Sequence, residues 1–499
     1  MESIKIFIHK WVINNTHSLR NTIIFFGILY LTIYCCNHYF YRTYAFDYAA
    51  YNFAFNDFSH FRISDCSVFP TEHVNFLQDH VSFTMFVFIP IYWLLGWLTQ
   101  TYTLLIIQTA IILYGGWATF KLIELKTTQK IYPLLALLQY FILFGRWTSF
   151  VSDCNLAIIA SSMIPVFIYY FEKKSIIPFF LSFIFILITR EDMALWTLFI
   201  GIFFLSSHFK DVKLRTVSIS IIGLSIIYFF VIFHYVIPLL ETPFKKFTLF
   251  NYTALGANPS EALSFIIKHP IDTFKMFFIN TSNDKGFDYV KFEFYYVYIL
   301  SGGFLLFFRP KYLLLFIPIL AKKMLNDGQV RWSVELYYSI EFVSILPLVI
   351  FLILLELKNV KLQKALVILV CIGTILIDVV KLNEHRNVDW WGDSKYAFYN
   401  SKMYTSDFSV IQVKKQLSVI PQDARISVSG SIATHLAFRK KVYFFPRIED
   451  AEYIALFKNR DQYPFNPEQF KTVINQYLND KSWMPIINNP TLLILKKRK

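Results

Sequence analysis

The sequence predicts an α-helical polytopic membrane protein with a small α/β domain at its C-terminus. The 499 residues are 56% hydrophobic and 16% charged, against about 25% charge in an ordinary soluble domain. Apolar runs able to cross a hydrocarbon core of roughly 30 Å recur through residues 1–383. From 384 to 499 charges return and short alternating segments replace the runs.

Taken in order, Lys5, Lys10 and Arg20 precede an apolar stretch at about 22 to 40, which reads as a retained first helix with a cytoplasmic N-terminus. Residues 41–80 are too polar to span and read as a long first outer loop. Within that loop Phe46, Ala49, Ala50, Phe53 and Ala54 recur at helical spacing, predicting a helix in the membrane interface. Apolar runs follow at about 83–98, 102–120, 131–145, 156–171, 176–189, 195–206 and 216–240. A second polar insertion occupies 241–289, and further runs lie at about 296–308, 312–325, 337–355 and 363–382. The total is about 11 to 13 spans. In the tail the pattern predicts helices at 409–417 and 470–478, and strands at 426–428, 441–445, 453–457 and 491–495.

The net charge of +14 is spread in short clusters between apolar runs, with no basic face carrying interleaved aromatics. That favours lipid headgroups and phosphates over nucleic acid as anionic partners. The 55 Phe, 31 Tyr and 10 Trp suit lipid-facing helices and interfacial belts. Cys35, Cys36, Cys66, Cys154 and Cys371 form no CxxC pair and no Cys/His metal spacing. No phosphate loop, HExxH sequence or Ser/His/Asp order is visible.

Four groups can carry chemistry. Asp47 follows the outer end of the first helix, where a carboxylate can act as general base toward lipid-borne substrate, or be a solvated loop residue. Asp79 and His80 precede the second span and can cap it, orient a substrate, or hold a divalent ion with Asp47. Arg190, Glu191 and Asp192 lie between two apolar runs, as a solvated turn or as a phosphate-binding Arg with carboxylates to hold it or a metal. Arg331, Glu335, Tyr337, Tyr338 and Glu341 lead into a span, where Glu335, Tyr338 and Glu341 at helical spacing share a face, or the aromatics act as an interfacial anchor.

Together these segments resemble the bacterial membrane-protein family called domain of unknown function 2079. The likeness rests on Phe46-Asp47, on Asn75-Phe76-Leu77-Gln78-Asp79-His80-Val81-Ser82-Phe83, and on Pro90-Ile91-Tyr92-Trp93-Leu94. It continues through Glu191-Asp192, Tyr337-Tyr338, the stretch from Ile420 to Ser429, Val442 to Pro446, and Glu449 to Tyr453. That family is similar to the C-type (GT-C) glycosyltransferase superfamily, whose members have many spans, a long first outer loop with an essential acidic residue and a polyprenyl-phosphate-sugar donor. The resemblance implies that Asp47 is the catalytic base. Beside it Arg190 is the expected phosphate contact, with Asp79, His80, Glu191 and Asp192 as supporting groups, and Asp153, Arg331, Tyr337 and Tyr338 complete the expected substrate- and phosphate-binding set. This chain departs from the family pattern where Ser152-Asp153-Cys154-Asn155 replaces a His-bearing acidic segment and Tyr337-Tyr338 replaces a His-Tyr pair. Asp389-Trp390-Trp391-Gly392-Asp393 bears only a faint likeness to the Trp-Trp-Asp motif of oligosaccharyltransferases.

The expected activity is inverting sugar transfer on the extracytoplasmic face of a bacterial inner membrane. The acceptor is a glycan, lipid or protein, and a divalent cation such as Mg or Mn is a possible cofactor. The alternative is a transporter or flippase for a lipid-linked or anionic solute, in which the same buried charges line a translocation path.

Overall fold

A computed structural model describes residues 15–70, 74–241, 250–384 and 395–498. The Trp390-Trp391 motif and the cations Lys5, Lys10, Lys245 and Lys246 lie outside the described residues. The helices are α1 (Asn15–Tyr39), α2 (Ala50–Ser59), α3 (Ile89–Thr99), α4 (Thr103–Lys126), α5 (Ile131–Ile142), α6 (Leu156–Glu172), α7 (Ile176–Thr189), α8 (Met193–Ser207), α9 (Val212–Val231), α10 (Pro259–Lys268), α11 (Pro270–Met276), α12 (Val290–Leu300), α13 (Ile317–Met324), α14 (Ile340–Leu355) and α15 (Val360–Asn383). Among the described residues four helical stretches are long and apolar enough to cross a membrane: 16–39, 89–126, 212–240 and 360–383. The bent pair at 131–142 and 145–152 makes a fifth if counted as one span, and α6, α7, α8 and α14 are shorter apolar helices.

The core is built around α6 and α14. All but two residues of each are buried, so neither has a polar face to turn outward. Small residues let the neighbours approach. A Cβ on Gly115 of α4 would collide with the Ser162 carbonyl oxygen on α6 and the Tyr140 hydroxyl on α5. At the periphery α9 shows the reverse pattern, with Ile219, Leu224, Ile226, Ile227, Phe229 and Phe230 exposed. Such a surface calls for an apolar medium around it.

The structure departs from the sequence-based expectations in four places. First, α2 is buried on every face, including Asn52 and Asp57, because it packs among the Ala45–Ala49 turn, the turn Phe76–Gln78 and the helices Thr84–Val87 and α3. It therefore does not lie in the interface. Second, the runs at 296–308 and 312–325 are not single helices. α12 stops at Leu300, Gly302 takes a left-handed φ of 113°, and two 3-10 turns (Gly303–Phe308 and Pro310–Leu315) follow before α13. Glycine adopts that conformation freely and Pro310 lacks the N–H to continue a helix. Third, residues 333–339 are turns, with Leu336 at φ 55°, so helical spacing does not govern Glu335 and Tyr338. Fourth, the 11 to 13 hydropathic runs exceed the helices that meet the length criterion, since several are broken or short.

The tail is a five-stranded sheet in the order β2-β1-β3-β5-β4, with β1 (Ile426–Val428), β2 (Val442–Phe444) and β3 (Tyr453–Phe457) parallel, and β4 (Trp483–Asn488) and β5 (Leu492–Lys497) antiparallel. Helices α16 (Val410–Leu417), α17 (Gly430–Leu436) and α18 (Pro467–Asn479) pack with it. The sequence pattern missed β4, an edge strand bulged at Pro485 and mostly exposed. It also missed α17, whose opening Gly430-Ser431 reads as a turn.

The sheet domain sits on the segment that follows α1. The rings of His38 and His435 stack at 4.0 Å and 4°. Thr43 Oγ1 bonds Thr434 Oγ1 at 2.9 Å. The Arg42 guanidinium donates to the carbonyls of Met403, Lys402 and Thr405 at 2.6–2.8 Å. Fixed contacts of this kind make the two parts one unit.

The Gly115 contact gives a direct test. Gly115→Val forces α4 away from α6 and costs on the order of 3 kcal/mol, read as a lowered melting temperature in detergent with a loss of monodisperse protein. Gly223, which has open space around its Cβ position, tolerates the same change.

Candidate functional site

Five chain segments converge beneath the sheet domain. The first is a π-helical turn, Ala45–Ala49, which carries Asp47. Its position is set by Asp153, whose Oδ2 accepts the Tyr44 N–H at 3.0 Å and whose Oδ1 lies 3.3 Å from Lys395 Nζ. Lys395 also donates to the Val151 carbonyl at 3.0 Å. Asp153 itself takes a left-handed φ of 54°, and its carbonyl accepts from Gln108 Nε2 at 2.7 Å. The departure Ser152-Asp153-Cys154-Asn155 thus supplies a carboxylate that holds the turn bearing Asp47.

Asp47 is part-exposed at its surface yet ringed by protein. Burial pushes its carboxyl up to about 7, Asp153 adds to the rise, and Lys395 opposes it. Burial likewise raises Asp153 to about 6, against the pull of Lys395 and the Tyr44 N–H. Two neighbouring carboxyls that titrate near neutrality next to one ammonium are a proton-handling group.

The second segment holds Asp79 and His80. A capping box between Asn75 and Gln78 closes the short turn Phe76–Gln78, and the helix Thr84–Val87 that follows has Phe83 at its N-cap with no side-chain cap, so neither Asp79 nor His80 caps the second span. His80 Nδ1 instead meets Glu191 Oε1 at 3.1 Å, and Glu191 Oε2 accepts the Val81 N–H at 3.1 Å. Burial alone would lower the His80 imidazole, but the Glu191 carboxylate outweighs it and raises it above the usual value. Asp79 lies 4.0 Å from His80 Nε2.

The third segment is the α7–α8 link. Arg190 Nη2 donates to Asp192 Oδ2 at 2.9 Å, and the same oxygen accepts Lys322 Nζ at 2.9 Å. Lys322 also pairs with Glu341. The result is an alternating row, Arg190, Asp192, Lys322 and Glu341. Burial tends to raise the Asp192 carboxyl, but the two cations pull it well below the usual carboxylate range. Arg190 Nε and Asp192 Oδ1 are buried without a hydrogen-bond partner, which leaves polar capacity for a ligand.

The fourth segment is 331–341. Here Lys323 of α13 donates to the carbonyls of Arg331, Ser333 and Tyr338 at 2.6–3.0 Å. That clamp holds Tyr337 and Tyr338 half-buried, their rings 4.5 Å apart. Arg331 is exposed. Tyr337 stands within the fields of Asp47, Arg190 and Arg331, so these groups are near neighbours.

The fifth segment comes from the sheet domain. Asp461 Oδ2 accepts the N–H and hydroxyl of Ser431, and burial raises its carboxyl. Lys322, Lys395 and Asp461 were not singled out from sequence. Lys322 ends an apolar run beside another lysine, and Lys395 and Asp461 sit in unremarkable polar stretches. Among the described residues no three His, Cys, Asp or Glu side chains gather as a metal-holding group. Cationic side chains occupy the cleft between the carboxylates.

Beside α2, Phe58, Phe61, Ile63, Phe86, Ile89 and Trp93 line an apolar groove of about 430 Å³ with Arg62 at its edge. Arg62 Nε pairs with Asp57 at 2.9 Å. Along α2 the groove begins ~16 Å from Asp47 by helix rise.

A family model described as a predicted membrane protein (DUF2079) matches residues 24–485. The chain therefore belongs to that family and is a membrane protein. No curated protein matches it.

The raised Asp47 carboxyl has a measurable sign. A group whose folded value lies above its unfolded one favours folding when protonated, so that stability is lost as pH rises from the unfolded value through about 7. Asp47→Asn removes the loss and raises the melting temperature at pH 8 but not at pH 4. In infrared titration the protonated carboxyl band of Asp47 disappears near pH 7, and Lys395→Met moves that midpoint upward.

Proposed function

We propose that this DUF2079 family member is a multi-pass membrane glycosyltransferase of the C type, moving a sugar from a polyprenyl-phosphate donor to an acceptor on the extracytoplasmic face of a bacterial inner membrane. The observation that carries the reading is Asp47, a carboxyl raised to about 7 that lies in the field of His80 and shares Tyr337 as a neighbour with Arg190, itself joined through Asp192 to Lys322. A general base is most effective when its pKa lies near the working pH.

The chemistry follows from that layout. The acceptor hydroxyl oxygen attacks the anomeric carbon and its proton passes to Asp47. The bond from the anomeric carbon to the phosphate oxygen breaks, and its electron pair leaves with the lipid phosphate. Arg190 and Lys322 neutralise the charge that develops there, and attack opposite the leaving group inverts the anomeric centre. Asp192 and Glu341 keep the two cations in place. The groove beside α2 suits an isoprenoid chain, which must leave water before its phosphate can reach the cleft.

Orientation is supported by charge. The links near 126–130, 172–175, 208–215, 309–311 and 356–361 carry many Lys and Arg. They are tied together by Lys126–Glu172, His208–Glu172, Lys174–Asp211, Arg309–Glu356 and Lys311–Glu356. The positive-inside rule assigns that end to the cytoplasm and the Asp47 end to the outside.

One observation favours the transporter reading. Arg146, fully buried beyond the bend after α5, has Nε and Nη1 without partners. A charge inside a bundle is often part of a path for ions.

The test is sugar release from polyprenyl-phosphate sugars by purified protein in lipid nanodiscs. The wild type turns over, with a rate that falls about tenfold per pH unit below pH ~7. Asp47→Asn loses about a hundredfold or more, and Arg190→Met also loses turnover. Absence of release together with solute uptake that depends on Arg146 in proteoliposomes would move the assignment to transport.

A further inference from the structure

Four aromatic rings meet where the sheet domain covers the Asp47 turn. Tyr44 precedes that turn and Phe46 lies within it, while Phe444 ends β2 and Tyr463 follows β3. All six ring pairs are in contact, from Phe46–Phe444 at 4.7 Å to Tyr44–Tyr463 at 6.4 Å. Phe444 is 3% exposed and forms the base, whereas Tyr463 is 51% exposed and Tyr44 and Phe46 are part-exposed. Beside them Asp461 spends Oδ2 on Ser431. The fields of Asp461 and Asp47 both act on the Tyr44 hydroxyl, so the rings bridge the two carboxylates. This corner also lies at the carboxyl ends of the parallel strands β1 to β3, where open α/β sheets bind ligands.

We propose that this corner is the acceptor subsite and that it takes a neutral saccharide. The inference rests on the transferase reading and deepens it by naming the acceptor class. A pyranose has an apolar C–H face that packs on aromatic rings and hydroxyls at its rim that donate to carboxylates. Tyr463, Tyr44 and Phe46 supply the first contact and Asp461 the second. A saccharide seated on the rings turns one rim hydroxyl toward Asp47, the base. An anionic acceptor is disfavoured by the carboxylates of Asp47, Asp153 and Asp461 around the corner. An aliphatic acceptor brings Asp461 no hydroxyl beyond the Ser431 contacts it already has.

The experiment uses the full-length protein in nanodiscs, with short neutral oligosaccharides of glucose, mannose, galactose and N-acetylglucosamine as probes. Binding is read by saturation-transfer NMR, and melting temperature reports folding. At least one probe binds. Tyr463→Ala and Asp461→Asn each weaken it about tenfold or more, and Tyr463→Phe, which keeps the ring, retains it. Sugar release from polyprenyl-phosphate donors is measured on the same samples. Donor release by the wild type with no probe bound, or binding indifferent to Tyr463→Ala, overturns the saccharide subsite and leaves the transferase standing. Ring-dependent binding with no donor release sustains the subsite and overturns the transferase.

Discussion

The Lys395 ammonium holds the site together. It is 3% exposed in its side chain, it bonds the Val151 carbonyl and faces Asp153, and Asp153 in turn fixes the Tyr44 N–H at the entrance to the Asp47 turn. The Lys395 carbonyl accepts from Asn37 Nδ2 at 2.7 Å, which fastens the same residue to α1. One residue therefore joins the first helix, the turn before α6 and the turn that carries Asp47. Breaking a buried pair of this kind by removing one partner costs about 3–5 kcal/mol, since the other charge stays behind without compensation.

That constraint explains why the sheet domain belongs to the site rather than beside it. Were the domain absent, Asp153 would lose its cation and the stacked pair His38–His435 would be split. Burial then falls around Asp47, and with it the cause of its raised carboxyl. The chemistry of the cleft and the docking of the tail are one energetic problem: covering the loop desolvates the carboxyls, and the ammonium delivered by the tail keeps two of them from repelling each other too strongly.

The cations of the cleft divide into two kinds. Lys323 is spent on three backbone carbonyls and shapes the 331–339 segment, and Lys291 likewise donates to the Met276 and Met324 carbonyls. Lys322 and Arg190 are instead balanced by carboxylates, with hydrogen-bonding capacity left over at Arg190 Nε. Adjacent lysines in the sequence, Lys322 and Lys323, thus have opposite roles, because successive residues of α13 point about 100° apart around its axis.

Much was written in the sequence itself. Apolar runs fixed the membrane character, and strand alternation located β1, β2, β3 and β5 within a residue or two at most ends, because hydrophobic periodicity depends only on which face a local element buries. The loop carboxylate Asp47, the Asp79-His80 pair and the Arg190–Asp192 link were visible as charges beside apolar runs. What pairs with them was not, since Lys322 and Lys395 lie 130 or more residues from their partners Asp192 and Asp153 along the chain, and no local pattern encodes a contact of that separation. The break at Gly302, the full burial of α2 and the ring cluster over Asp47 were likewise decided by packing. Burial of a carboxyl, and hence its proton affinity, is a property of what the whole chain folds around it.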